Sequence, residues 1–115
     1  MTNVQIFGIK NSHATRAAER FFKERRVSIQ LVDLKQKAMS PGEIKRFIDK
    51  FGLPALLDTE SKPYVDGGFK YMKMTDAEWL EKIERNPGLL RLPLVRSGNK
   101  FSTGQDEESW KSMLG

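Results

Sequence analysis

The residues of this chain best equipped for chemistry lie near its start: Asn11, Ser12, His13 and, one helical turn on, Arg16. A serine hydroxyl becomes a nucleophile only when a base takes its proton. His13, the single histidine, is the base nearest in sequence. Neighbouring side chains diverge at a helix start, and no Asp is placed to orient the imidazole, so no catalytic pair is assigned. Two compatible roles fit the pattern better. A serine directly before a helical stretch is an N-cap, accepting the amide hydrogen of a residue two or three positions on. The bare amides of that first turn, with Arg16 beside them, make an anion site for a carboxylate, phosphate or sulfate.

Composition narrows the chemistry further. The chain has no cysteine, which removes disulfides, thiolate zinc sites and thiolate catalysis together. One histidine and scattered carboxylates predict no metal centre, and no resident cofactor is expected. Residues 1–50 hold eleven Lys/Arg against five Asp/Glu, and residues 51–115 hold nine against ten. Within Arg16, Arg20, Lys23, Arg25 and Arg26 the cations alternate with Glu19 and Glu24, the pattern of a solvated helix face, so direct nucleic-acid binding is not expected. No apolar run is long enough to span a membrane, and the N-terminus runs straight into Val4, Ile6 and Phe7; the expected compartment is the cytoplasm.

These residues need elements to hold them. At 115 residues the chain suits one domain, 1–115. Val4, Ile6 and Phe7 predict a strand ending at Gly8. Ala17, Ala18, Phe21 and Phe22 then repeat at helical spacing to about Arg26, with the phenylalanines inward. Residues 27–33 read as a half-buried strand, giving a parallel βαβ unit. Ser40-Pro41-Gly42-Glu43 is a capping box ahead of Ile44, Phe47, Ile48 and Phe51, and Gly52 stops that helix. Leu53 to Leu57 suggests one helical turn, and residues 58–73 read as irregular structure. Thr75 to Glu78 is a second capping box, opening a helix with Trp79, Leu80 and Ile83 inward. Leu92–Arg96 and Lys100–Thr103 flank a tight turn at Ser97-Gly98-Asn99. Asp106 caps a last helix holding Trp110, Met113 and Leu114. Tyr64, Phe69, Tyr71, Met72 and Met74 either form a partner-binding patch or cover a small core of their own.

The local patterns resemble the ArsC/Spx family, the arsenate reductase-like branch of the thioredoxin and glutaredoxin fold. Phe7-Gly8-Ile9-Lys10-Asn11 before Ser12 is similar to its strand-to-helix loop, Val32-Asp33-Leu34-Lys35 to its second strand, and residues 86–95, around Pro93, to its Asn/His-Pro-x-Leu-Ile-x-Arg-Pro stretch. The resemblance implies an α/β fold, a four-stranded mixed sheet in the order βαβ…ββα with a helical insertion at about 39–86. It also implies that the reactive cysteine of the family is Ser12 here. An arginine before the buried proline is replaced by Leu92, with Arg91 one residue earlier, and a further arginine after Ala55-Leu56-Leu57 by Asp58. Pro93 resembles the cis-proline that faces the active loop and offers backbone groups to a peptide or glutathione.

Since a hydroxyl is far less acidic than a thiol and cannot take up disulfide states, arsenate reduction by this chain's own side chains is not expected. The reading is a non-catalytic binding or regulatory protein for a protein partner or a small anion, with Asn11, Ser12, His13, Arg16, Arg91 and Pro93 as candidate ligand residues. The resemblance to Spx makes the RNA polymerase α subunit one conceivable partner. The alternative is a glutathione transferase-like enzyme in which Ser12 donates a hydrogen bond to the bound thiolate.

Overall fold

A computed structural model describes residues 3–114; the outermost residues of the expected 1–115 span lie outside that range. The chain divides into two compact units, one built from residues up to Lys37 and from Leu92 onward, the other from Ala38–Arg91.

The first unit carries the sheet. Strand β1 (Asn3–Gly8) leads into helix α1 (His13–Glu24) and strand β2 (Ser28–Asp33). After the second unit come β3 (Leu94–Ser97), β4 (Lys100–Thr103) and the last helix, α6 (Glu107–Ser112). The strand order is β2-β1-β3-β4. β1 and β2 are parallel from Asn3↔Ser28 to Gly8↔Asp33, while β3 runs antiparallel to both β1 and β4. This is the four-stranded mixed sheet of the thioredoxin-like fold. Among the described residues the parallel pair needs its α1 crossover, and the antiparallel pair needs only the short loop at Gly98, whose φ of 62° glycine adopts without strain.

Val4 and Ile6, alternating along β1, pack with Ala18, Phe21 and Phe22 of α1, Val95 of β3, and Trp110 and Met113. Trp110 is held on its polar side as well, its indole Nε1–H donating to the buried Ser102 Oγ at 3.2 Å. A buried indole gains packing area only if its N–H finds an acceptor, and Ser102 is that acceptor. Leu114, read as part of the last helix, lies beyond its end at Ser112 and is exposed.

Helix α1 ends at Glu24, two residues before the expected end at about Arg26. Arg26 takes a left-handed φ of 59°. Its N–H donates to Lys23 O and the N–H of Val27 to Phe22 O, each at 3.0 Å, which is a Schellman ending with arginine where glycine is usual. Val27 then packs against the core.

In the second unit, α2 (Pro41–Phe51) and α5 (Asp76–Arg85) both open with the expected capping boxes. One-turn α3 (Leu53–Leu56) follows α2. The segment read as irregular contains a short helix, α4 (Lys62–Asp66), and a 3-10 turn at Phe69–Tyr71. Ser61 Oγ accepts the Tyr64 N–H at 3.3 Å and Pro63 sits in the first turn, so N-cap chemistry outweighs the breaker residues that surround it. Tyr64, Phe69 and Trp79 pack with ring centroids 5.3–6.2 Å apart. Tyr71 and Met72 remain exposed, so the aromatic-rich segment divides between a small core and the surface.

Candidate functional site

The site starts from the β1–α1 connection. Ser12 N–H donates to Ile9 O at 3.0 Å, closing the turn, and Ser12 O accepts the N–H of Arg16 at 3.1 Å, the first helical bond. Its Oγ accepts the Thr15 amide hydrogen at 3.2 Å. The serine is thus an N-cap in extended backbone geometry (φ −79°, ψ 120°). The amides of His13 and Ala14 have no hydrogen-bond partner among the described residues, leaving two donors at the positive end of the helix. Asn11, His13 and Arg16 are exposed around them, and Ser12 is half-buried.

Thr15 was not among the residues singled out by sequence, yet it sets the floor of this turn. It is 2% exposed, and its Oγ1 is buried with no hydrogen-bond partner among the described residues. The side chain lies over Gly8, where any Cβ would fall inside its van der Waals envelope. Gly8 is therefore required for α1 to approach β1 this closely. A threonine three residues beyond a capping serine is unremarkable in a sequence, since nothing local says whether the hydroxyl is solvated.

Pro93 reaches the same region through the sheet. Phe7 pairs with Leu94, so the residue before Leu94 lies beside the end of β1. Pro93 is fully buried and the Leu92–Pro93 peptide bond is cis. Its carbonyl accepts the Gly104 N–H at 3.0 Å and is therefore committed within the fold. Leu92 is buried as well and makes no backbone hydrogen bond among the described residues. Asn11, Ser12, His13, Arg16 and Pro93 are all in the first unit. Arg91 is in the second, exposed, with its N–H donated to Leu56 O at 2.7 Å. Asp58, at the position of the second expected arginine, accepts the Glu60 N–H through Oδ1 at 3.1 Å and so shapes a turn.

No cluster of three or more His, Cys, Asp or Glu side chains that could hold a metal occurs among the described residues. No described helix is long and apolar enough to cross a membrane.

A comparison with curated protein sequences finds no match. Solved structures match over nearly the whole chain. The arsenate reductase from Vibrio cholerae aligns with a TM-score of 0.83 at 16% identity, covering 98% of each chain. An arsenate reductase (ArsC) related protein from Brucella melitensis aligns with a TM-score of 0.66 at 17% identity, covering 96% of this chain and 92% of that one. SACOL0876 from Staphylococcus aureus COL aligns with a TM-score of 0.74 at 26% identity, covering 96% and 98%. At such identities the first two likenesses speak to the fold alone. The sequence model of the ArsC family matches residues 7–113, a span that runs from the end of β1 through α6 and includes the capped serine turn. With its sheet order, its serine-capped first helix and this match in agreement, the chain belongs to the ArsC family.

Proposed function

We propose that this ArsC family chain works by binding, without redox turnover, and that its ligand site is the first turn of α1. The observation that carries this reading is Ser12: it stands where the resemblance puts a reactive cysteine, and its oxygen is engaged as a helix cap. A hydroxyl there holds no negative charge at neutral pH and forms no disulfide, so the unpaired amides of His13 and Ala14 with Arg16 receive an anion instead of supporting a thiolate. The ligand is a small oxyanion, or a carboxylate borne by a larger molecule. A protein partner is the other class of ligand consistent with a binding role, and the RNA polymerase α subunit is the one suggested by resemblance to Spx. The test is a titration with phosphate, arsenate and glutathione while amide shifts of Ser12 to Arg16 are followed, alongside an arsenate reduction assay with glutathione supplied. Saturable shifts without arsenite formation support the reading. Chain-dependent arsenite formation overturns it, and unmoved amides at millimolar ligand remove the small-anion site.

A second reading follows from the same bond. Because Ser12 Oγ uses a lone pair toward Thr15, its own hydrogen stays available to donate. A glutathione sulfur seated above the turn would take that hydrogen bond as a thiolate, lowering the thiol's pKa in a transferase-like manner. Thiolate absorbance of bound glutathione, compared between the native chain and Ser12→Ala, tests it: equal titration midpoints exclude the role.

A further inference from the structure

The sheet has two edges, and they are treated differently. β4 has four residues, begins with Lys100, and that lysine is tied through its Nζ to Ser112 O. Short length and an inserted cation are ordinary ways of closing an edge to foreign strands. β2 has neither. It pairs with β1 along all six residues on one side and, among the described residues, with no strand on the other. In a parallel ladder alternate residues address the neighbour, so the N–H and C=O groups of the others point away from the sheet. Its sequence, Ser28-Ile29-Gln30-Leu31-Val32-Asp33, contains no Pro, Gly, Lys or Arg. Ser28, Gln30 and Leu31 are exposed, Leu31 to 37%.

Cations frame this open edge. Arg26 precedes it, and Lys35 and Lys37 follow it; all three are exposed and none is ion-paired among the described residues. Asp33, the strand's one acid, has its Oδ1 engaged by the Lys35 N–H at 3.0 Å. Beside Leu31 a cavity of about 190 Å³ opens toward α1, lined also by Lys10, Thr15, Arg16 and Glu19.

We propose that β2 is a docking edge for an extended segment of another protein, one that adds a fifth strand. That segment carries an apolar residue in its middle and acidic residues at its ends. Main-chain bonds to β2 supply the pairing, the cavity beside Leu31 takes the apolar side chain, and Arg26, Lys35 and Lys37 receive the acids. A second copy of this chain fits poorly, because antiparallel self-pairing sets Arg26 against Lys35 of the other copy and parallel self-pairing sets each cation beside its twin. A nucleic acid makes no use of a strand's amide edge. The cavity shares Arg16 with the proposed Ser12 site, but the strand edge and its flanking cations do not, so either can fail alone.

The experiment uses the full chain and a short peptide alternating Val and Thr with paired glutamates at both ends. Two control peptides are the same core with lysine ends and the same core N-methylated on one edge. Expected are slowed hydrogen exchange at residues 28–33 and amide shifts limited to that strand, its flanking cations and the cavity beside Leu31, with about tenfold weaker binding for the lysine-ended peptide, a difference that shrinks with salt. The N-methylated peptide should not bind. Leu31→Lys, at an exposed position, should abolish binding while leaving the fold intact, and Arg26→Glu with Lys35→Glu should make the lysine-ended peptide the tighter ligand. Equal binding of both peptide types, shifts that map elsewhere, or a dimer protected at β2 without peptide would each overturn the proposal.

Discussion

Ser12 and Thr15 exchange hydrogen-bonding capacity in one direction only: Ser12 Oγ accepts the Thr15 amide hydrogen at 3.2 Å, while the Thr15 hydroxyl is buried without a partner. The hydroxyl at the cap has a partner, and the one three residues on has none among the described residues. Replacing Ser12 by Ala should cost about 1 kcal/mol of stability through loss of the cap, read from denaturant midpoints. Ser12→Cys should regain a thiol that titrates below the usual cysteine range, because it sits at a helix start. Ultraviolet thiolate absorbance measures that midpoint, and an ordinary midpoint would mean that the first turn is not electropositive.

Thr15→Val keeps the shape and deletes the orphan hydroxyl. It should therefore leave stability unchanged or raise it by about 1–2 kcal/mol. Gly8→Ala tests the opposite face of the same contact. With Thr15 directly against the position of a new Cβ, the overlap should cost about 1–3 kcal/mol. The double variant Gly8→Ala with Thr15→Ala should recover only part of that loss, since the Cβ of residue 15 remains 2.9 Å from the new one, as urea denaturation can establish.

Glu78 closes the α5 capping box. The Thr75 backbone hydrogen bond, then the Thr75 side-chain bond, with a smaller contribution from Lys82, hold its carboxyl below the ordinary range. A carboxyl depressed in the folded state stabilises it above the unfolded pKa, and that contribution fades as pH falls through the lower folded value. Acidification across and below the usual carboxylate range should therefore loosen the start of α5. Glu78→Gln, which can make the same bonds without charge, should remove this part of the pH dependence. Hydrogen exchange at Glu78 and its neighbours across that range is the measurement.

Arg26 occupies a left-handed conformation that disfavours side chains by about 1–2 kcal/mol. Arg26→Gly should relieve this and, after the larger unfolded-state entropy of glycine, stabilise the chain by about 0.5–1 kcal/mol. The same change removes a cation from the edge of β2, so binding of the glutamate-ended peptide should weaken as thermal stability rises. Scanning calorimetry and peptide titration on one sample would separate the two effects.

Much of this fold could be read from local residue chemistry. The two capping boxes, at Ser40 and Thr75, carry their complete donor and acceptor sets within four residues, so no tertiary knowledge is needed. The hairpin at Gly98 and the cap at Ser12 are equally local. What escaped was decided at a distance or between competing local signals. The helix at Lys62–Asp66 lies among Pro63, Gly67 and Gly68, and its start depends on the cap bond from Ser61. The Thr15 hydroxyl matters because Gly8, seven positions earlier, leaves room for it. The open edge of β2 emerges only from strand order, since a six-residue strand looks the same in sequence whether it has one neighbour or two.

The placement of the two tryptophans has a practical consequence. Trp110 lies in the core of the unit that carries the sheet, and Trp79 packs with Tyr64 and Phe69 in residues 38–91. Each unit therefore contains its own intrinsic fluorophore in a different setting, one indole hydrogen-bonded and sealed, the other half-buried between rings. Trp79→Phe and Trp110→Phe would divide the emission cleanly, so that the melting of each unit could be watched by a separate optical signal in an unlabelled protein.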